Sequence, residues 1–319
     1  LRSKRLGPTS RLLAVFIALA LILTLAILLV LRYTGDPIAI ETAKPASTVV
    51  SAPSSSMPAP RLIAQPEHCD IQLNFHGQED DFLLAEYWHQ RLRETLTPKH
   101  ESPDALSSGN TALQFCAVLR HDSYTSDCPE QLGRAWCEPT TAENHPALNL
   151  NAHTVPQLHV VLTDSGLANT RNGVIYIKRN ANVQVLQHEL GHALGLADEY
   201  MMHPDLARQF CNGEFNFTAS NLVITDKQWL TPDEMQKFER ALPWAEFSEQ
   251  PLATQDHNGV WRLGSSDNDK IGLFPAKTCE GTGLYAWKPV AEKTWMEQHE
   301  IGEIPPLYIQ LIRQQLEPQ

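Results

Sequence analysis

Residues 182–200 read Asn182-Val183-Gln184-Val185-Leu186-Gln187-His188-Glu189-Leu190-Gly191-His192-Ala193-Leu194-Gly195-Leu196-Ala197-Asp198-Glu199-Tyr200. Asn182 is a good N-cap, and Val183, Val185, Leu186, Leu190 and Leu194 make the following stretch apolar, so a helix is predicted from about Val183 to Leu194. Residues four apart lie one turn above each other on the same face, so the imidazoles of His188 and His192 can bind one metal ion. Glu189, one residue round, can reach a water on that ion without being a ligand. A helix this apolar is buried, and two histidines and a carboxylate are costly to bury unless paired or metal-bound.

Gly195 lies three beyond the second histidine, where a glycine can take positive φ and stop the helix. The chain can then turn back and offer Asp198 to the same ion. Glu199 and His203 are rival third ligands. A thermolysin-type arrangement would need a glutamate from a later helix, Glu234 or Glu239, and would leave Gly195 and Asp198 without a role. The run H-E-x-x-H-x-x-G-x-x-D resembles the signature of the metzincin zinc peptidases, with Asp198 in place of the usual third histidine. Gly195 to Tyr200 looks particularly like the IgA-peptidase-like metzincins. The resemblance covers about residues 183–200 and is weak elsewhere. It implies a methionine in a tight turn beneath the metal, for which Met296 is the candidate and Met235 a distant second; Met201 and Met202 are too close to the ligand turn. The long spacing from His192 to Met296 implies an insertion at about 203–280. No tyrosine follows Met296 by two residues, so the transition-state tyrosine of some relatives has no counterpart there.

Outward from the helix, Val174–Lys178 alternates like a half-exposed strand, and Leu158–Thr163, Leu113–Leu119 and Ile71–Phe75 read as further strands. Glu79–Leu96 reads as an amphipathic helix ending before Pro98. Residues 203–280 show one clear helix, Pro232–Leu242, with Thr231 as N-cap and Pro232 at N1. The order implies an α/β (α+β) fold: a mixed sheet with flanking helices, metzincin-like and twisted by the resemblance. The resemblance also lays a substrate along an edge strand, here Val174–Lys178 or its neighbour.

The chain has 319 residues, 42% hydrophobic and 19% charged, too apolar for a disordered protein. Residues 1–66 carry 7 Lys+Arg against 2 Asp+Glu, which leaves 18 against 35 for 67–319. An ectodomain so acidic disfavours nucleic acid as a partner. Leu12 to Leu31 is a run of twenty residues whose only polar member is Thr24. As a helix it would cover about the 30 Å of a bilayer core. Arg2, Lys4, Arg5 and Arg11 before it, against Arg32 just after, predict a signal anchor with residues 1–11 cytoplasmic. Residues 32–66, rich in Pro, Ala and Ser, read as a linker, and 67–319 as the catalytic domain, periplasmic or extracellular. All six cysteines (Cys69, Cys116, Cys128, Cys137, Cys211, Cys279) fall there, which fits three disulfides in an oxidising compartment. Cys128–Cys137 and Cys211–Cys279 are the expected pairs.

Other conspicuous residues read as structure. His68, His76, His89, His121, His145, His153, His257 and His299 lack ligand spacing. Trp229, Trp244, Trp261 and Trp287 suit packing, and Asp267-Asn268-Asp269 lacks a calcium-loop pattern. The expectation is a membrane-anchored zinc endopeptidase acting on a peptide or protein, with His188, His192 and Asp198 as ligands and Glu189 as general base. A silent zinc-containing peptide or cell-wall binding module, or an amidase for a non-protein amide, are the alternatives.

Overall fold

The computed structural model describes residues 59–96, 112–121, 126–131, 134–135, 138–139, 155–171, 173–215, 217–301 and 304–316. The chain divides into Leu1–Ser55 and Ser56–Gln319, and every described residue belongs to the second unit. The expected membrane span at 12–31 and most of the linker lie outside them; among the described residues no helix is long and apolar enough to cross a membrane.

The strands are β1 (Arg61–Ala64), β2 (Ile71–His76), β3 (Phe115–Arg120), the two-residue strands β4 (Ser126–Asp127), β5 (Glu130–Gln131), β6 (Arg134–Ala135) and β7 (Glu138–Pro139), then β8 (Gln157–Thr163), β9 (Asn169–Arg171) and β10 (Val174–Lys178). Six of them form one sheet in the order β1-β3-β2-β8-β10-β9. The inner four run parallel, while β1 and β9 join antiparallel at the edges. Alternation decides the faces: Ile71, Leu73 and Phe75 of β2 are at most 1% exposed and share a core with helices α1 (Phe82–Thr95) and α2 (Val183–Ala193). The expected helix at 79–96 thus begins as a short 3-10 turn, Glu79–Asp81.

Val174–Lys178 corrects the sequence reading. It is an interior strand, four of its five residues buried, because β9 covers its edge and Val161, Val174 and Tyr176 pack on its second face. The neighbour, β9, is the sheet edge. After β10, Arg179 grips both oxygens of Asp81 (2.8 and 3.1 Å) at the start of α1, fixing where the chain turns into α2.

The region read as a nearly irregular insertion is more ordered than its sequence suggested. It holds α3 (Pro204–Cys211), β11 (Val223–Thr225), β12 (Trp229–Leu230), α4 (Pro232–Ala241), β13 (Ala253–Gln255), β14 (Trp261–Leu263) and β15 (Phe274–Ala276), and β16 (Tyr285–Lys288) follows just beyond it. The strands make two three-stranded sheets, β11-β16-β15 and β12-β14-β13. Alternation was too short to see in strands of two to four residues. Thr231 caps α4, as expected, and Glu234 in return accepts from the Thr231 backbone N–H. Leu230, Met235, Trp244, Leu263 and Trp287 belong to the same apolar core as the main sheet, so this region is built into the body. A last helix, α5 (Pro306–Leu316), which the sequence reading did not include, buries Leu307, Tyr308, Ile309, Leu311 and Ile312.

Cys211 and Cys279 are disulfide-bonded, as expected, and Cys69 pairs with Cys116, a bond the spacing had left open. Cys128 is also disulfide-bonded; Cys137 lies outside the described residues. Trp244 and Trp287 are core residues, whereas Trp229 is half exposed with Arg262 over its ring. Asp267 is occupied within its own loop by Asp269 N and Lys270. His76 and His159, scattered in sequence, meet across adjacent strands at 2.8 Å.

Candidate metal centre

Asn182 caps α2, its side chain accepting from Gln184 N. The helix ends in a Schellman motif: Gly195 N–H donates to the His192 carbonyl (3.1 Å), Leu196 N–H to that of Gly191 (2.9 Å), and Gly195 sits at φ +88°. This turn sends the chain back along the helix and sets Asp198 beside the two histidines. His188 Nε2 and Asp198 Oδ1 are 3.0 Å apart, His192 Nε2 and Asp198 Oδ1 3.2 Å, and the two Nε2 atoms 3.2 Å. Among the described residues this is the one group of three or more His, Cys, Asp or Glu side chains that could hold a metal ion.

The donor set fits a cation. His188 Nδ1 lies 3.2 Å from the Trp295 carbonyl and His192 Nδ1 3.0 Å from that of Leu196. A carbonyl only accepts, so each ring's proton sits on Nδ1 in the neutral form and both Nε2 lone pairs face Asp198. Asp198 Oδ1 is buried and makes no hydrogen bond. In that neutral form three lone-pair atoms converge with no proton between them. Tetrahedral coordination at about 2.0–2.1 Å implies donor separations of roughly 3.3–3.4 Å; the observed 3.0–3.2 Å is slightly tighter. Burial would lower the His192 pKa, but the Asp198 carboxylate overcomes this and raises it to about 9. For Asp198, burial acts upward, yet the charges of His192 and His188 hold its carboxyl well below the usual range. A cation would take the proton's place.

Glu189 is buried beside the triad and is held by the Thr170 hydroxyl of β9, which lies 2.9 Å from both its Oε2 and its backbone carbonyl. Burial pushes its carboxyl above the usual range, against the pull of the two imidazoles and Thr170. Met296 is fully buried in the turn Thr294–Glu297, closed by Glu297 N–H to the Thr294 carbonyl at 3.0 Å. A Cβ at Gly191 would come within 2.6 Å of Met296 Sδ, so the glycine between the two histidines lets the turn seat against the helix.

The rival positions are engaged elsewhere. Glu199 turns away from the histidines into a buried cluster with Lys288 and Tyr308. His203 is an exposed N-cap of α3, Glu234 pairs with Lys227 and caps α4, and Glu239 is exposed. Met235 is a core residue of α4. Sequence reasoning did not name Thr170, and it gave Tyr200 and His299 no role at the site. The Tyr200 and His299 rings lie 6.1 and 6.0 Å from that of His188. The acidic-Tyr ending of the motif pointed to Tyr200; the other two carry no local signal. A groove of about 680 Å³ between α3, α4 and β11, lined by Phe210, Phe217, Leu222, Ile224 and Phe238, includes none of these residues.

No protein-family model matches this chain, and no curated protein matches it.

Proposed function

We propose that the chain is a membrane-anchored, extracytoplasmic zinc endopeptidase of metzincin type. The observation that carries this reading is the convergence of His188 Nε2, His192 Nε2 and the hydrogen-bond-free Asp198 Oδ1, with the Glu189 carboxylate held alongside. Three protein ligands that leave a position for water are the pattern of a catalytic zinc site. Zinc held there would polarise the scissile carbonyl and acidify the attacking water. Glu189 takes the proton of that water and later gives it to the leaving amine. Its raised pKa moves it toward the operating pH, where a group that must both accept and donate works best. Thr170 keeps the carboxylate aimed, a provision of no use to a silent binding module. As the end strand of the sheet, β9 can pair with an extended peptide while its Thr170 touches the base. The run at 12–31 supports the anchor.

The test is metal analysis of the 319-residue chain in detergent, followed by hydrolysis of an unfolded protein and of small amides. Stoichiometric zinc and internal cleavage are expected. Glu189→Gln should keep the zinc and lose about 10²–10⁴-fold in turnover. Undiminished turnover in that variant, or a chain that takes up no metal, overturns the proposal; small-amide hydrolysis alone would make it an amidase.

A further inference from the structure

Asp198 and Glu199 are consecutive, and their side chains serve opposite sides of the same turn. Glu199 is fully buried. Its Oε1 accepts from Asn221 Nδ2 at 2.8 Å and from the Tyr308 hydroxyl. Its Oε2 accepts from Thr294 Oγ1 at 2.8 Å and from Lys288 Nζ at 3.2 Å. Four donors use the lone pairs of both oxygens, so this carboxylate has nothing left for a cation. Lys288 is itself buried and also donates to Glu297 Oε2 at 2.7 Å and to the Glu292 carbonyl at 2.8 Å.

Asn221, together with groups that do not touch the Glu199 carboxylate, clamps the backbone on either side of the Asp198 Cα. Asn221 takes the Ala197 N–H (2.7 Å) and donates to the Ala197 carbonyl (3.0 Å). Thr278 Oγ1 donates to the Asp198 carbonyl at 2.6 Å. Glu199 N–H donates to the Met296 carbonyl at 2.9 Å, and Lys277 N–H to the Glu199 carbonyl at 3.1 Å. Through Thr294, whose Oγ1 also accepts from Met296 N–H at 3.1 Å, the Glu199 carboxylate reaches the methionine turn as well. A buried ion pair adds little net stability over apolar packing; what a fully satisfied one can supply is a fixed arrangement.

We propose that Glu199 is a positioning residue. Its carboxylate sets the aim of Asp198 at the two histidines and, in the same act, the seat of the Met296 turn. Residues 220–288 are thereby a working part of the metal centre, since they supply Asn221, Thr278 and Lys288. This rests on the reading of the triad as a metal site, and the test separates the two by measuring metal geometry rather than hydrolysis.

The 319-residue chain is loaded with cobalt(II), and its d–d absorption and metal affinity are compared with those of Glu199→Gln and Thr278→Val. Glu199→Gln preserves shape but weakens the hold on Lys288; Thr278→Val removes only the hydroxyl on the Asp198 carbonyl. Both variants should lose roughly 10–100-fold in metal affinity, as outer-shell changes do, with an altered cobalt spectrum. A role in folding alone would lower the melting temperature and leave affinity and spectrum at wild-type values; that result in folded Glu199→Gln overturns the proposal. If Glu199→Gln does not fold, a wild-type spectrum and affinity in Thr294→Val, which removes the hydroxyl joining the Glu199 carboxylate to the Met296 turn, overturns it equally. A wild-type chain that binds no cobalt or zinc instead removes the metal site itself.

Discussion

Helix α2 and the 220–288 region meet at one site and contribute to it in different currencies. The helix brings two donors, His188 and His192, whose mutual placement follows from one turn of backbone. The 220–288 region brings no donor, yet Asn221, Thr278 and Lys288 hold the turn that carries the third. Ligands one helical turn apart need little outside help, because the helix has already fixed their φ and ψ. A ligand beyond a helix end does need it: each freely turning residue costs about 1–2 kcal/mol to immobilise. The Schellman turn at Gly195 gives the direction, and distant side chains complete the restraint.

The largest effect expected from breaking this contrast comes from the adjacent pair. Asp198→Ala should abolish stoichiometric zinc binding while leaving a folded protein, since it removes a donor from the triad. Glu199→Ala should cost about 3–5 kcal/mol of stability, because it removes one arm of a buried ion pair and leaves the Asn221, Thr294 and Tyr308 donors without their acceptor, with a smaller loss of metal affinity than Asp198→Ala. Zinc content and denaturant unfolding of the two variants distinguish them; the reverse assignment would mean that residue 199, not 198, is the ligand.

A moderate effect is expected from pH. His192 is raised above its unfolded value, so its pairing with Asp198 contributes stability that is complete below about 6.5 and is lost as pH rises through about 9. Asp198 is lowered, so its share is present above about 3.9 and is lost on acidification below that. In chelator-treated protein, a divalent cation entering the triad must displace the His192 proton. Its affinity should rise by roughly tenfold per pH unit up to about 9 and then level off. Flat affinity from pH 6 to 9, measured by competition with a chelating dye, would contradict the coupling.

The smallest effect sharpens the comparison from the other side. Thr231→Ala removes the cap of α4, outside the strap around Asp198. About 1 kcal/mol of stability should be lost, with zinc retention unchanged. A loss of metal would extend the working part of the 220–288 region beyond Asn221, Thr278 and Lys288.

Much of the fold was readable because alternation and caps are local. Ile71, Leu73 and Phe75 announced β2; Asn182 and Thr231 announced the starts of α2 and α4. The parallel centre of the sheet was harder to see. Val174–Lys178 alternates in polarity as though half exposed, and only the cover from β9 and the second-face packing made it interior. Strands of two to four residues in the 220–288 region carry too few positions to show a period, and α3 is a helix of only 8 residues.

By itself the sequence determined the pair His188–His192, the carboxylate between them and the turn at Gly195, since one helical turn and a glycine's positive φ are properties of neighbouring residues. Tertiary structure decided that Asp198 and not Glu199 faces the imidazoles, that the Met296 turn and not Met235 lies beneath them, and that Thr170 holds Glu189. Those outcomes depend on contacts such as His188 with Trp295, separated by 107 residues, or Glu199 with Tyr308, separated by 109. Periodicity carries no information over such distances; packing of the whole core sets them.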